Sequence, residues 1–135
     1  DLLRFTEPEL FEFVIERGSV TNHEEYLLVS NVLCLPSYRE GFGTVVLDAA
    51  ALSIPTVGSR IAGLIDSVAD ESTGLLFPVG DLQRMSDLLC KLNADRQSLI
   101  QLGFEARRRV EESFSSERMA RLLADFYREQ LSLGR

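Results

Sequence analysis

Tryptophan is missing from this 135-residue chain, histidine occurs once, cysteine twice and lysine once, as Lys91. Each scarcity removes a class of function. One histidine and two scattered cysteines do not make the tetrahedral set a zinc ion needs, so no metal is expected. Two cysteines are no disulfide framework either. Cys34, in an apolar run, and Cys90, in a helical one, read as buried reduced thiols, which fits a cytoplasmic protein. No apolar run approaches a membrane span, which needs about eighteen residues, and no basic-then-apolar leader stands at Asp1. Clustered cations are also scarce. The net charge is −7, and the only basic triplet, Arg107-Arg108-Arg109, reads as the solvated face of a helix. Nucleic acid is therefore not an expected partner, since neutralising phosphates takes grouped cations. The chain does not open on Met, and an upstream portion is expected to lie outside it.

What is present is an alternation of short apolar runs and helical patterns. Thr6-Glu7-Pro8-Glu9 can start a short helix. Phe13-Val14-Ile15 reads as a strand ending at Gly18, with helical continuation to Arg17 as the alternative. Thr21 or Asn22 can cap a helix running to about Asn31, and Glu24 follows Thr21 at capping-box spacing. His23, in its first turn, reads as a surface residue without a role. Strands are expected at Val32–Leu35, Ile54–Gly58 and Leu75–Pro78, and helices at Gly43–Leu52 and Ala62–Ala69. Asp81 caps a helix whose Leu82, Met85, Leu88, Leu89 and Leu92 form a buried stripe. A further helix covers Arg96–Glu112. The last has Ser115 as N-cap, Phe114 and Met119 as a hydrophobic staple, and Met119, Leu122, Leu123, Phe126, Tyr127 and Leu131 on one face. Alternation of this kind predicts an α/β fold, a Rossmann-like parallel sheet flanked by helices, with function at the carboxyl ends of the strands.

The stretch Pro36-Ser37-Tyr38-Arg39-Glu40-Gly41-Phe42-Gly43-Thr44 leaves the first well-marked strand and enters an alanine-rich helix. Gly41 and Gly43 tolerate unusual dihedrals and close approach. The amides of Phe42, Gly43 and Thr44 lie where a helix has no internal acceptors, and suit a phosphate or a sugar hydroxyl. Glu40 would be repelled by phosphate, so it should face hydroxyls or a developing cation. Asp48 can accept hydrogen bonds from vicinal hydroxyls. A plain turn with solvated charges is the alternative, and a lone glycine pair is weak support on its own.

The context adds to this. Pro-Ser-x-x-Glu-Gly-Phe-Gly followed by an acid and alanines resembles the signature of GT-B glycosyltransferases of retaining family 4, the glycogen-synthase-like sugar transferases. Ser53-Ile54-Pro55-Thr56-Val57-Gly58-Ser59, Ile61-Ala62-Gly63-Leu64-Ile65-Asp66-Ser67-Val68 and Thr73-Gly74-Leu75-Leu76-Phe77-Pro78-Val79-Gly80-Asp81 resemble successive motifs of that family. Val14–Val20, Phe114-Ser115-Ser116-Glu117 and Phe126-Tyr127 extend the likeness. The resemblance implies an incomplete C-terminal half of a GT-B fold, with a partial donor-binding domain over residues 13–131, an ill-defined segment 1–12 and a tail 132–135. It implies transfer of a sugar from a UDP- or GDP-type nucleotide sugar to an acceptor such as a lipid-linked or polysaccharide sugar, without cofactor or metal. Glu40 would be catalytic, approaching the donor sugar. Phe42, Gly43 and Thr44 would hold sugar hydroxyls and diphosphate, and Asp48 the ribose.

Departures from the family pattern are specific. Asp48 replaces a glutamate, Ser53 and Glu71 stand where glycine is common, and Ala62 replaces the first of a glycine pair. Lys91 and the arginines match none of the family's diphosphate-gripping positions. The acceptor domain is expected outside this chain, so the isolated chain should not turn over. It should expose an apolar sheet edge or hide that edge in self-association. Peripheral membrane association of the complete enzyme is a further expectation. A non-catalytic α/β nucleotide-binding or regulatory module is the alternative function. A related sugar epimerase would need histidines and carboxylates not seen here.

Overall fold

A computed structural model describes residues 8–133. Its elements in order are α1 (Pro8–Phe11), α2 (His23–Leu28), β1 (Leu33–Leu35), α3 (Thr44–Ala51), β2 (Thr56–Ser59), α4 (Ala62–Ser67), β3 (Gly74–Phe77), α5 (Leu82–Ala94), α6 (Arg96–Ser113) and α7 (Ser116–Leu133). The three strands form one parallel sheet in the order β1-β2-β3. Leu33 aligns with Thr56 and Thr56 with Gly74, which brings the carboxyl ends of all three strands to one side.

Strand periodicity sorts the core into two layers. Successive side chains point to opposite faces. Val57, Leu75 and Phe77 therefore face α5 and α6, where they pack with Leu88, Leu92, Leu99 and Leu102. Leu33, Leu35 and Leu76 face the other way and meet Val46 of α3 and Leu64 and Val68 near α4. Both faces of β2 and β3 are buried, which is why these strands read as continuous apolar or small-residue runs. The fold is thus the expected Rossmann-like α/β sheet covered by helices.

Local signals set several boundaries as expected. Asp81 Oδ1 accepts from the Arg84 amide at 2.9 Å, and Ser115 Oγ accepts from the Arg118 amide at 3.3 Å. Asp95 caps α6 in the same way through the Ser98 amide. At α2 the N-cap is Asn22, whose side chain bonds Glu25 rather than an amide, and the helix stops at Leu28. The proposed start at Thr6-Glu7 lies outside the described residues.

Four expectations are corrected. Phe13-Val14-Ile15 is not a strand, and Phe13 and Ile15 are 77% and 73% exposed. A strand exists only through a neighbour's hydrogen bonds, and among the described residues the sheet ends at β1. For the same reason Cys34 is exposed rather than buried, its thiol lying 3.6 Å from Met85 Sδ, and Cys90 is exposed as well. Leu82 is 65% exposed and leaves the α5 stripe. The apolar face of α7 is also open: Met119, Leu122, Leu123, Phe126, Tyr127 and Leu131 are all more than half exposed.

The two edges of the sheet are built differently. Beyond β3, Asp70 bridges to Gly74, accepts the Leu76 amide at 2.8 Å and pairs with Arg60, while the Glu71 amide donates to Gly74 O. A side chain and a turn thus occupy positions a further strand would take. No described residue covers β1 in this way. The turn carries backbone strain: Glu71 has φ of 63°, and Ser53, after α3, has φ of 61°. Both stand at the positions where the family resemblance expects glycine, and the left-handed backbone explains that preference.

Two outcomes test this description. Glu71→Gly should raise stability by about 0.5–1 kcal/mol, the left-handed cost less the glycine entropy; a lower or unchanged urea midpoint would contradict it. Sedimentation should show self-association growing with concentration through the bare β1 edge, and a strictly monomeric profile at high concentration would count against it.

Candidate functional site

The loop 36–43 runs from the carboxyl end of β1 to the start of α3. Gly43 is its pivot. It is buried, adopts φ 67° and ψ 56°, and serves as the N-cap residue of α3. Its carbonyl accepts the Val46 amide at 2.8 Å, closing the first turn. No side chain caps this helix, so its first amides face outward without a side-chain acceptor. A Cβ on Gly43 would stand 2.7 Å from Leu64 Cδ2, so another residue here would carry left-handed strain and require the Leu64 side chain to shift.

The loop is seated on α4. A Cβ built on Gly63 would lie 2.4 Å from the Glu40 carbonyl oxygen and 2.7 Å from that of Gly41. Those carbonyls lie in the volume that any side chain at residue 63 would fill. Glu40 is half-buried and fixed from within the loop, its Oε1 accepting the Ser37 hydroxyl at 2.8 Å. On the far side the Phe42 ring meets Phe114 at 5.7 Å between centroids, tilted by 59°. Arg109 lies 5.5 Å over the Phe114 ring, and its Nη2 donates to Asp66 O at 3.0 Å. One arginine on α6 therefore joins the end of α4 to the aromatic pair that backs the loop. The Phe114 ring packs on Phe42, and Met119, its expected staple partner, is 56% exposed.

Thr44 is the first residue of α3 and is exposed, and Asp48 lies one turn further along. Residues four apart share a helix face, so the Thr44 and Asp48 side chains are neighbours along one stripe. Asp48 has a partner that the sequence did not show. His23 Nε2 stands 3.1 Å from Asp48 Oδ2, and His23 Nδ1 is 3.6 Å from Glu24 Oε2. The structure thus places Gly43 and Thr44 at one helix start, with Glu40 in the loop before it and Asp48 one turn in, and gives the Phe42 ring a packing role. The separation of 25 positions between His23 and Asp48 hid their pairing, and no local spacing rule could have found it.

This arrangement is a shelf at the strand ends rather than an enclosed cavity. A cavity of about 530 Å³ lies elsewhere, between Glu71, Ser72 and the start of α6. One of about 370 Å³ lies under α5 beside Arg60, Arg84 and Lys91. Neither is lined by Glu40 or Asp48. Chemically, the shelf offers uncapped amides for an anion or a hydroxyl, with two carboxylates beside them as hydroxyl acceptors.

Comparison with known proteins bears on this shelf. The capsular polysaccharide biosynthesis glycosyltransferase CapM of Staphylococcus aureus is 37% identical over 87 residues, which are 64% of this chain and 23% of that protein. The sucrose-phosphate synthase structure from Thermosynechococcus elongatus superposes with a TM-score of 0.86 at 32% identity, over 98% of this chain and 33% of that one. A structure of Anabaena Alr3699/HepE in complex with UDP-glucose superposes with a TM-score of 0.73 at 18% identity, over 78% of this chain and 29% of that one, a likeness of fold alone. The chain spans about a quarter to a third of the length of these relatives. Its fold is accordingly part of a GT-B fold. The pattern of the family described as glycosyl transferases group 1 matches residues 12–112, from just after α1 through most of α6, and the chain belongs to that family.

Proposed function

We propose that this chain is the donor-binding portion of a retaining, family-4 glycosyltransferase that moves a sugar from a UDP- or GDP-type nucleotide sugar to a lipid-linked or polysaccharide acceptor. The observation that carries the proposal is the uncapped start of α3 behind left-handed Gly43, with Glu40 before it and Asp48 one turn beyond. The UDP-glucose bound by the Anabaena neighbour supports a nucleotide-sugar ligand.

Each residue then has a role. The amides of Phe42, Gly43 and Thr44 receive diphosphate oxygens and sugar hydroxyls, and Glu40, held by Ser37, approaches the transferring sugar. Asp48 accepts the ribose hydroxyls. Diphosphate is the leaving group, and the positive end of the helix favours the charge it gains. That contribution is about 0.3–1 kcal/mol at an exposed terminus, too little to replace two cations. Turnover therefore needs residues beyond this chain, and the isolated chain is inactive. No metal is assigned to the reaction.

The remaining partners follow from the same reading. An acceptor-binding domain completes the enzyme. Among the described residues no helix is long and apolar enough to cross a membrane. A cytoplasmic enzyme that meets lipid-linked acceptors peripherally is the corresponding picture.

Two variants test it in a protein extended to the length of its relatives. Asp48→Ala should weaken UDP or GDP binding about tenfold or more, the loss of charge-assisted hydrogen bonds. Glu40→Gln should lower kcat by about two orders of magnitude while nucleotide affinity stays within about threefold. Nucleotide binding without any sugar transfer would return the chain to a non-catalytic module. No contact with any nucleotide sugar would overturn the proposal.

A further inference from the structure

His23 is the chain's one histidine, and it is the first residue of α2. Its helix is not free to drift, because Leu27, one turn on, is buried. From that anchored position Nε2 reaches Asp48 Oδ2 at 3.1 Å, across two separate helices. Glu24 Oε2 lies 3.6 Å from the other ring nitrogen. The imidazole thus sits between two carboxylates, and both it and Asp48 remain a little under half exposed, at 43% and 45%.

A carboxylate offers about four lone-pair sites, and one bond from His23 consumes one of them. The Asp48 carboxylate still has Oδ1 and the second lone pair of Oδ2. An unpaired aspartate on a helix surface would sample several rotamers, and a ligand would have to order it on binding. The imidazole removes that cost in advance by fixing where the carboxylate points.

We propose that His23 is a positioning residue for nucleoside recognition: its Nε2–H holds Asp48 Oδ2 so that the remaining carboxylate lone pairs accept the vicinal 2′- and 3′-hydroxyls of a ribose. This rests on the donor reading of the site. It goes further by giving the orientation of the Asp48 carboxylate a cause, the imidazole of α2. It also assigns a role to a residue outside the 36–51 stretch.

The lone imidazole is its own reporter, because its ring signals in a 1H–13C NMR spectrum need no assignment among others. UDP is titrated into the 135-residue chain, with binding followed by ligand-observed NMR and by that ring signal. UDP should shift the ring signal, and 2′-deoxy-UDP should bind more weakly. His23→Ala should weaken UDP about two- to fivefold, the range for losing one hydrogen bond at a partly exposed site, and leave 2′-deoxy-UDP nearly unchanged. His23→Gln, whose side-chain N–H reaches the place of Nε2, should restore binding. In an Asp48→Ala background, His23→Ala should have no further effect. A retained backbone spectrum and thermal midpoint show that each variant is folded. If Asp48→Ala weakens UDP but His23→Ala does not, or if His23→Ala weakens UDP and 2′-deoxy-UDP alike, the role of His23 is overturned. If Asp48→Ala leaves UDP binding unchanged, or UDP and GDP make no contact with this chain or with a protein extended to the length of its relatives, the donor reading fails and takes this inference with it.

Discussion

The absence of a side chain at residue 63 is the constraint on which the site depends. The carbonyl oxygens of Glu40 and Gly41 occupy the space a Cβ would need, which draws the loop down onto the first turn of α4. Gly43 enters α3 in the left-handed region, where a Cβ would stand 2.7 Å from Leu64, a fully buried core residue. The helix start is aimed by that turn. Packing density in a core leaves little slack, so a sub-ångström demand at one glycine fixes a whole loop. Arg109 extends the same unit to α6 by joining Asp66 O and the Phe114 ring, on which Phe42 rests. Its Nε is buried without a partner, which marks how tightly this side chain is enclosed.

The sheet gives this unit a direction. Three parallel strands bring their carboxyl ends together, and the loop after β1 opens there. The edge beyond β3 is finished by Asp70, Glu71 and Arg60, whereas β1 borders the shelf and is left bare among the described residues. The open side of the sheet and the open side of the site are therefore the same side. A chain a quarter to a third as long as its relatives would be expected to carry one wall of such a site rather than all of it. The apolar stripe of α7, more than half exposed along its length, is a second uncovered surface.

Much of this was legible from residue patterns. Val57, Leu75 and Leu76 announced buried parallel strands because both faces are covered, and Asp81 and Ser115 announced helix starts through their side-chain oxygens. Glu40, Gly43 and Asp48 were legible as a group because they lie within one strand–loop–helix passage. Ser53 and Glu71 stood out as replacements for glycine, and the structure supplies the positive φ behind that preference. What failed to show was whatever depends on distant neighbours. Phe13-Val14-Ile15 has strand composition without a strand beside it. Cys34 looked buried because its neighbours in sequence are apolar, yet it lies on a sheet edge. His23 gave no sign of Asp48, since the contact is made only once α2 and α3 are laid side by side.

The seat of the loop on α4 can be measured directly. Replacing Gly63 by alanine adds one methyl group where two backbone carbonyls lie, and backbone cannot yield as a flexible side chain would. The affinity of Gly63→Ala for UDP, set beside its thermal midpoint, decides the matter. Gly63→Ala should keep a cooperative fold and bind the nucleotide about tenfold more weakly, because overpacking of about 1–3 kcal/mol is relieved by lifting the loop. Unchanged affinity in a folded variant would contradict it, and would show that the shelf is formed without the close approach of Glu40 and Gly41 to residue 63.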